Sequence, residues 1–346
     1  MPSPAFDMAD YNTPEFTRYV KAHEATNGPG DHRPTALQIV KDNGLEGKLG
    51  DKTVLITGCS SGIGIETARA IKATGARLFL TARNLSKGRD ALGDIIEPGK
   101  VDLLLLDLNS LASVRKFADQ FLQASDNKLN ILINNAGVMT TPEGLTQDGF
   151  ETQFGTNHLA HFLLFQLVKS ALLTSSTPEF QSRVVALSSL GHRYFPPKME
   201  NLMLTGEYDA NHAYAHSKTA NIWFANEIER RYGSQGLHAH SLHPGGIWTG
   251  LQVHVPSELL EGWRKVPAVQ AMMKSVEQGA ATTVWAALAK VWEGKGGRYL
   301  EDCQVSSPVE EGYQLTDKGY EKWAYDAENA AKLWKLSNEW VGFKEE

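Results

Sequence analysis

The sequence predicts an α/β protein, a doubly wound and mostly parallel sheet of about seven strands with helices on both faces. Three observations carry that expectation. From residue 52 onward, short apolar runs alternate with longer stretches of helical periodicity. A glycine-rich turn, Thr57-Gly58-Cys59-Ser60-Ser61-Gly62-Ile63-Gly64, separates the first run from the first helix. The 346 residues, 42% of them hydrophobic, supply one large core, and α/β folds often run to 250 residues or more as one unit.

Residues 1–50 stand apart as an N-terminal extension. They are polar and rich in proline and glycine around Gly28-Pro29-Gly30, with a capped short helix starting after Thr35 and stopped by Gly44. The extension is expected to pack on the main domain, residues 51–346, and to have a disordered beginning; an active-site cover is the alternative. The first strand is Thr53 to Thr57, and the helix after Gly64 runs to about Thr74. Arg77 to Thr81 and Val101 to Leu106 are the second and third strands. Ser110 caps a helix carrying Leu111, Val114, Phe117, Ala118 and Phe121 at helical spacing. Leu129 to Ile133, Arg183 to Leu187 and Leu237 to Leu242 are strands four to six, with long helices near 151–174 and 212–232 between them. A capped helix from Ser275 to about Trp292 precedes a seventh strand, Gly297 to Leu300, and a final helix spans 326–341.

The net charge of −6 and pI near 6.0, without a basic tract, argue against nucleic acid as a partner. No run of about 18 apolar residues suggests a membrane span. The chain start shows no secretory pattern and its end no peroxisomal signal, so a cytoplasmic location is expected. Two cysteines, Cys59 and Cys303, fit a reducing compartment; Cys59 reads as a small turn residue or a reactive thiol near cofactor.

Tyr214 and Lys218 lie four residues apart in Tyr-Ala-His-Ser-Lys, so on a helix they share a face. An unperturbed phenol titrates near ~10; a cation about 4 Å away supplies about 4 kcal/mol at an effective dielectric of about 20, enough to bring it near neutrality. Alone the spacing also fits a packed tyrosine beside a solvated lysine. Gly58, Gly62 and Gly64, following a strand and opening a helix, add the context in which backbone approaches a pyrophosphate and a helix N-terminus attracts it. At the end of the second strand, Thr81-Ala82-Arg83-Asn84 has no carboxylate to meet a ribose 2′-hydroxyl. The Arg83 guanidinium suits a 2′-phosphate, predicting NADP(H), although a merely solvated charge fits too. Asp107, just past the third strand, is placed to meet the adenine.

In this combination the chain resembles the short-chain dehydrogenase/reductase family over about 52–303. The motifs are Thr57–Gly64, Asn134-Asn135-Ala136-Gly137, Asn157, Ser188-Ser189 with Tyr214 and Lys218, and His243-Pro244-Gly245-Gly246 leading to Thr249. Phe154-Gly155-Thr156-Asn157-His158 is similar to the retinol dehydrogenase and WW-domain oxidoreductase branch, especially fungal members. The resemblance implies a Rossmann-type strand order of 3-2-1-4-5-6-7. It also implies Tyr214 as acid–base, Lys218 on the nicotinamide ribose, Ser189 rather than Ser188 on the reacting oxygen, and Asn157 holding a relay water. Cofactor-binding residues would be Gly58, Ser60, Ser61, Gly62, Ile63, Gly64, Arg83, Asp107, Leu108, Asn135, Ala136, Gly137, Tyr214, Lys218, Pro244, Gly245, Ile247 and Thr249. Ser189, His192, Tyr214 and Trp248 would face the substrate, and no metal is required.

His158 and His161, or His238, His240 and His243, lack an acidic or thiol companion, so no metal site is expected. The 24 residues between Ser189 and Tyr214 (190–213), roughly twice the family's common spacing, are expected to wall the pocket. Residues 250–275, with Leu259, Leu260, Trp263, Val266, Met272 and Met273, resemble the family's substrate loop; a core-packing helix is the alternative. The leading expectation is an NADPH-dependent carbonyl reductase or secondary alcohol dehydrogenase acting on a hydrophobic ketone or alcohol, possible in secondary metabolism. The alternatives are a non-redox dehydratase, epimerase or cyclase, and a catalytically silent NADP-binding sensor or scaffold. The relatives' four-helix interface predicts a homodimer, and the enlarged loop before Tyr214 a monomer.

Overall fold

The computed structural model of the chain describes residues 8–314 and 316–345. Residues 1–7, where the disordered beginning of the extension was expected, lie outside the described residues. The strands are β1 Thr53–Ile56, β2 Arg77–Ala82, β3 Val101–Leu105, β4 Ile131–Asn134, β5 Ser182–Leu187, β6 Leu237–His243, β7 Arg298–Glu301 and β8 Gln304–Val305. They form one sheet in the order β3-β2-β1-β4-β5-β6-β7-β8, parallel through β7. The sheet therefore has eight strands rather than seven. β8 returns antiparallel to β7 through Asp302 and Cys303, both left-handed at φ 52° and 54°, the backbone of a two-residue hairpin turn.

Side chains alternate across the strands because a pleated backbone has a period of two. Val54 and Ile56 enter one buried layer while Leu55 enters the other; Leu78 and Leu80 oppose Phe79 in the same way. The first layer packs Ile63–Lys72 and Ala281–Leu288 on the sheet, and the extension closes it: Tyr11, Phe16, Tyr19, Ile39 and Val40 are buried there. Phe16 sits edge-on to both Trp285 and Trp292, at 6.4 Å and 5.0 Å. The extension thus supplies core side chains. The second layer gathers Phe117, Phe121, Phe162, Phe165 and Phe224 from the helices Leu111–Ala124, Ala160–Ser175 and Ala210–Tyr232. The last helix, Ala327–Trp340, lies on the latter two, its Trp334 stacked 6.1 Å from Phe224 and edge-on 4.9 Å from Phe162.

Two helices differ from their expected form. The stretch near 151–174 is a short turn, Thr152–Phe154, then a wide π-turn, Gly155–Leu159, then Ala160–Ser175. The helix expected from Ser275 to Trp292 is broken into Val276–Gly279, Ala281–Leu288 and a tight turn at Lys290–Trp292. Among the described residues no helix is long and apolar enough to cross a membrane. Both thiols, Cys59 and Cys303, are wholly buried.

Candidate active site

The strand order reverses between β1 and β4, so the loops leaving their carboxyl ends diverge and open a crevice, the place where such sheets hold ligands. Three glycines bring these loops into contact. A Cβ on Gly58 would stand 2.7 Å from Ala136 Cα, and one on Gly64 would stand 2.3 Å from Gly58 O. Gly62, at φ 61°, precedes helix Ile63–Lys72 without any side-chain cap, leaving first-turn N–H groups available. Asn135 locks the turn: its Nδ2 donates to Thr57 O at 2.8 Å and Gly58 O at 3.2 Å. The Thr57 hydroxyl oxygen accepts from the Asn135 and Ala136 N–H groups at 2.9 Å and 3.0 Å. This cradle of glycines and uncapped amides fits a dinucleotide phosphate.

Ser60 and Ser61 lie in the mouth of the same turn, Ser61 exposed. Arg83 follows β2 as an exposed guanidinium with no ion-pair partner among the described residues. Asp107 and Leu108 follow β3; the Asp107 carboxylate accepts from Asn109 N–H at 3.0 Å, and Leu108 is buried.

The catalytic candidates come from three elements. Asp209 caps the long helix by accepting from Asn211 and His212 N–H groups, which sets Tyr214 and Lys218 in its second and third turns. Both side chains are buried, with Lys218 Nζ 5.4 Å from the Tyr214 ring centroid and donating to Leu187 O at 3.2 Å. After β5, the Ser188 hydroxyl is spent on Lys218 O at 2.8 Å. Ser189 instead faces the phenol, and its hydroxyl oxygen accepts from Gly191 N–H at 3.0 Å. Gly191 is required here because a Cβ would stand 2.9 Å from Tyr214 Cε1.

Asn157 sits in the π-turn, completely enclosed. Its Nδ2 donates to Val138 O and Ser217 Oγ, both at 2.9 Å, while Oδ1 accepts from Val138 N–H at 2.8 Å. Only acceptor positions remain for the expected relay water. Gly137 lies between these groups: a Cβ there would be 3.2 Å from Asn157 Oδ1 and 3.4 Å from Lys218 Nζ. Asn157, Ser189, Tyr214 and Lys218 therefore converge beside the glycine turn.

The electrostatics correct one expectation. Burial pushes the Tyr214 phenol up to about 12, with the Ser189 hydrogen bond pulling the other way. Burial also pushes Lys218 down to about 8. The fold therefore does not bring the phenol near neutrality through the lysine alone: burial is the larger influence on Tyr214, and the Lys218 cation is itself desolvated.

Pro244 and Gly245 follow β6; Ile247 is buried against Gly279 and Ile63, and the Thr249 methyl lies 3.4 Å from where a Gly62 Cβ would be. Trp248 stacks under the Arg264 guanidinium at 5.1 Å. His192 is fully buried behind Ser189, its Nδ1 2.6 Å from Ser189 O and its ring 4.9 Å from Tyr299. It therefore backs the site instead of forming an open wall, because the short turn Leu190–Arg193 rolls it inward.

Sequence reasoning missed Thr57, His161 and Ser217 as organisers. His161 links Asn157 O at 3.0 Å to Thr57 Oγ1 at 2.9 Å, and Ser217 joins Asn157 to Tyr214 O. The i,i+4 spacing of Asn157 and His161 in a helical stretch was the available signal. Lys274, another omission, is buried and holds the loop after β6 by donating to Pro244 O at 3.1 Å while pairing with Asp302 at 2.7 Å.

The model of the short chain dehydrogenase family matches residues 52–259. "Short-chain dehydrogenase/reductase prx1" of Penicillium roqueforti is 53% identical over 328 residues, 95% of this chain and 96% of that protein. "Retinol dehydrogenase 12" of Mus musculus is 38% identical over 300 residues, 85% of this chain and 87% of that one. A crystal structure of a protein from Mycobacterium paratuberculosis superposes with a TM-score of 0.66 at 32% identity, covering 90% of this chain and 98% of the other.

Proposed function

The chain belongs to the short chain dehydrogenase family, a family of oxidoreductases, and on that premise we propose that it is an NADPH-dependent carbonyl reductase or secondary alcohol dehydrogenase for a hydrophobic small molecule. The observation that carries this reading is the convergence of buried Tyr214 and Lys218 with the half-buried Ser189 beside an uncapped helix start. The glycine turn and the first amides of Ile63–Lys72 would hold the pyrophosphate, Arg83 the 2′-phosphate, and Lys218 the nicotinamide ribose. Once bound, the cofactor supplies or receives hydride.

The protein's own part is proton handling. A phenol held near 12 keeps its proton at neutrality, so Tyr214 is poised to give it to a carbonyl oxygen that Ser189 orients. Lys218, brought down to about 8 by burial, would trade protons near physiological pH and so replenish the one given up through the water expected at Asn157. The segment 250–275 would cover the substrate; it exposes Val253, Leu259 and Val266 and places Trp248 at its root, a surface suited to an apolar ligand. The helix Ala327–Trp340 occupies the outer face of the two long helices, so the proposed working form is a single copy.

The test is NADPH consumption with a panel of hydrophobic ketones and quinones. Tyr214→Phe should lower turnover by about 10²–10⁴-fold while NADPH affinity, read by fluorescence titration, stays within about a factor of two. An unaltered rate in that variant, or no oxidation of NADPH with any carbonyl, rejects the redox reading.

A further inference from the structure

Residues 248–273 leave the main body as a flap. Its two helices, Ser257–Arg264 and Pro267–Met272, contain no buried residue, so their own packing does little to fix them. The flap is closed at its base by a parallel bridge between Ile247 and Lys274, with Lys274 N–H donating to Gly246 O at 2.8 Å. That base stands directly on the start of helix Ile63–Lys72, through Ile247 and Thr249. Whatever sets the angle of the flap root therefore sets how the flap meets the cofactor crevice.

The N-terminal extension grips that root. The Arg33 guanidinium, about as buried as any core side chain at 2% exposure, pairs with Asp31 at 2.8 Å. Its two terminal nitrogens donate to the last flap carbonyls, Met272 O at 2.8 Å and Met273 O at 2.6 Å. Gly28 N–H donates to Ala271 O at 2.9 Å. From the other side, Gln278 Nε2 donates to Asp31 O and Asp31 Oδ1, both at 3.0 Å, and Gln278 Oε1 accepts from Gly30 N–H at 2.9 Å. Ser275 N–H also donates to that oxygen, at 3.0 Å, so Gln278 ties the extension to the residue that follows the flap. Asp31 is itself fixed by Asn27 N–H at 2.8 Å and Arg33 N–H at 3.0 Å.

A planar guanidinium forking to two consecutive carbonyls, with its charge balanced by a buried carboxylate, holds direction as well as distance. Three successive carbonyls, at 271, 272 and 273, are tied to a strap of chain some 240 residues earlier in sequence, and separations of 239 and 240 residues are what the Arg33 bonds span. We propose that Arg33, braced by Asp31 and Gln278, is a positioning residue that sets the flap over the substrate site, so that the N-terminal extension belongs to the machinery of substrate binding. It touches neither substrate nor cofactor and acts through Met272 and Met273. The consequence for substrate affinity rests on the function proposed above; the mechanical part does not.

The experiment is hydrogen exchange on the full chain, without cofactor, for Arg33→Met, Arg33→Lys and Gln278→Leu. Amides within 257–272 should exchange about tenfold faster in Arg33→Met, with β4 and β5 unchanged, and Arg33→Lys should restore part of the protection. Gln278→Leu, which leaves the Arg33–Asp31 pair intact, should loosen the same segment less, and it carries the test if Arg33→Met fails to fold. With a ketone reduced by the unsubstituted protein, KM should rise about fivefold in Arg33→Lys while kcat changes by less than about twofold. Unchanged exchange in 257–272, a flap already unprotected in the parent, or faster exchange spread across the whole sheet overturns the proposal. A parent that fails to bind NADPH in a fluorescence titration would reject the functional reading and leave the exchange result standing.

Discussion

Lys218→Met should make the protein more stable while removing its activity. The lysine titrates at about 8 in the fold against 10.5 for a free side chain, and burial is the cause. Below about pH 8 the side chain is charged both folded and unfolded, so the whole penalty of burying that charge is present: about 2.5 pH units at about 1.36 kcal/mol each, or about 3 kcal/mol. The penalty fades as pH rises from about 8, where the folded form loses its proton, toward about 10.5, where the unfolded form does. Methionine keeps the length and removes the charge. The one hydrogen bond lost leaves no orphan, because Leu187 O also accepts from Asn221 Nδ2 at 3.0 Å. With about 2.1 cal/mol/K per residue over this chain, about 3 kcal/mol corresponds to a rise of about 4 °C in Tm. Thermal melts without NADPH, at pH about 7 and about 9.5, read it: the variant should melt higher at the lower pH, and the gap should shrink to less than about half at the higher. A variant that melts at or below the parent at pH about 7, or a gap that ignores pH, refutes the reasoning.

The remaining predictions concern cofactor choice and assembly. Arg83→Asp should remove the preference for NADPH over NADH, a change of at least about tenfold in the ratio of kcat/KM, because a carboxylate repels a 2′-phosphate; an unchanged ratio would show that Arg83 is only a solvated charge. Sedimentation velocity should give a single species at the mass of one chain, and a concentration-dependent dimer would contradict the covered helix face.

The strands were legible because continuous apolar runs between turns leave little choice, and because the glycines at 58, 62 and 64 mark where the backbone must approach itself. The shared helix face of Tyr214 and Lys218 was legible from their i,i+4 register, but its meaning only from the glycine turn and the other motifs beside it. β8 was not: two residues, Gln304 and Val305, carry no periodicity, and the left-handed pair Asp302-Cys303 lacks the glycine or asparagine that usually announces such a turn. The π-turn around Asn157 inserts one residue into a helical pattern without altering its composition. The charge state of Tyr214 depends on burial, which spacing does not report. Arg33 escaped notice for a related reason. Its surroundings, Gly28-Pro29-Gly30-Asp31-His32, look like solvated linker, whereas the carbonyls it holds, Met272 O and Met273 O, lie 239 and 240 residues away in sequence.

The two enclosed sulfurs have a practical consequence. Burial lifts both thiols to about 12, and each lies inside the fold, Cys59 with its Sγ 3.5 Å from Ile56 O and Cys303 3.7 Å from Thr282 Oγ1. At neutral pH only about one molecule in 10⁵ would carry either as a thiolate, and neither is reachable by a maleimide while the chain is folded. The native background is therefore silent toward alkylation. A single cysteine introduced on the exposed 257–272 segment would take a fluorophore on its own, making the motion of that segment visible by spectroscopy without first deleting any natural residue.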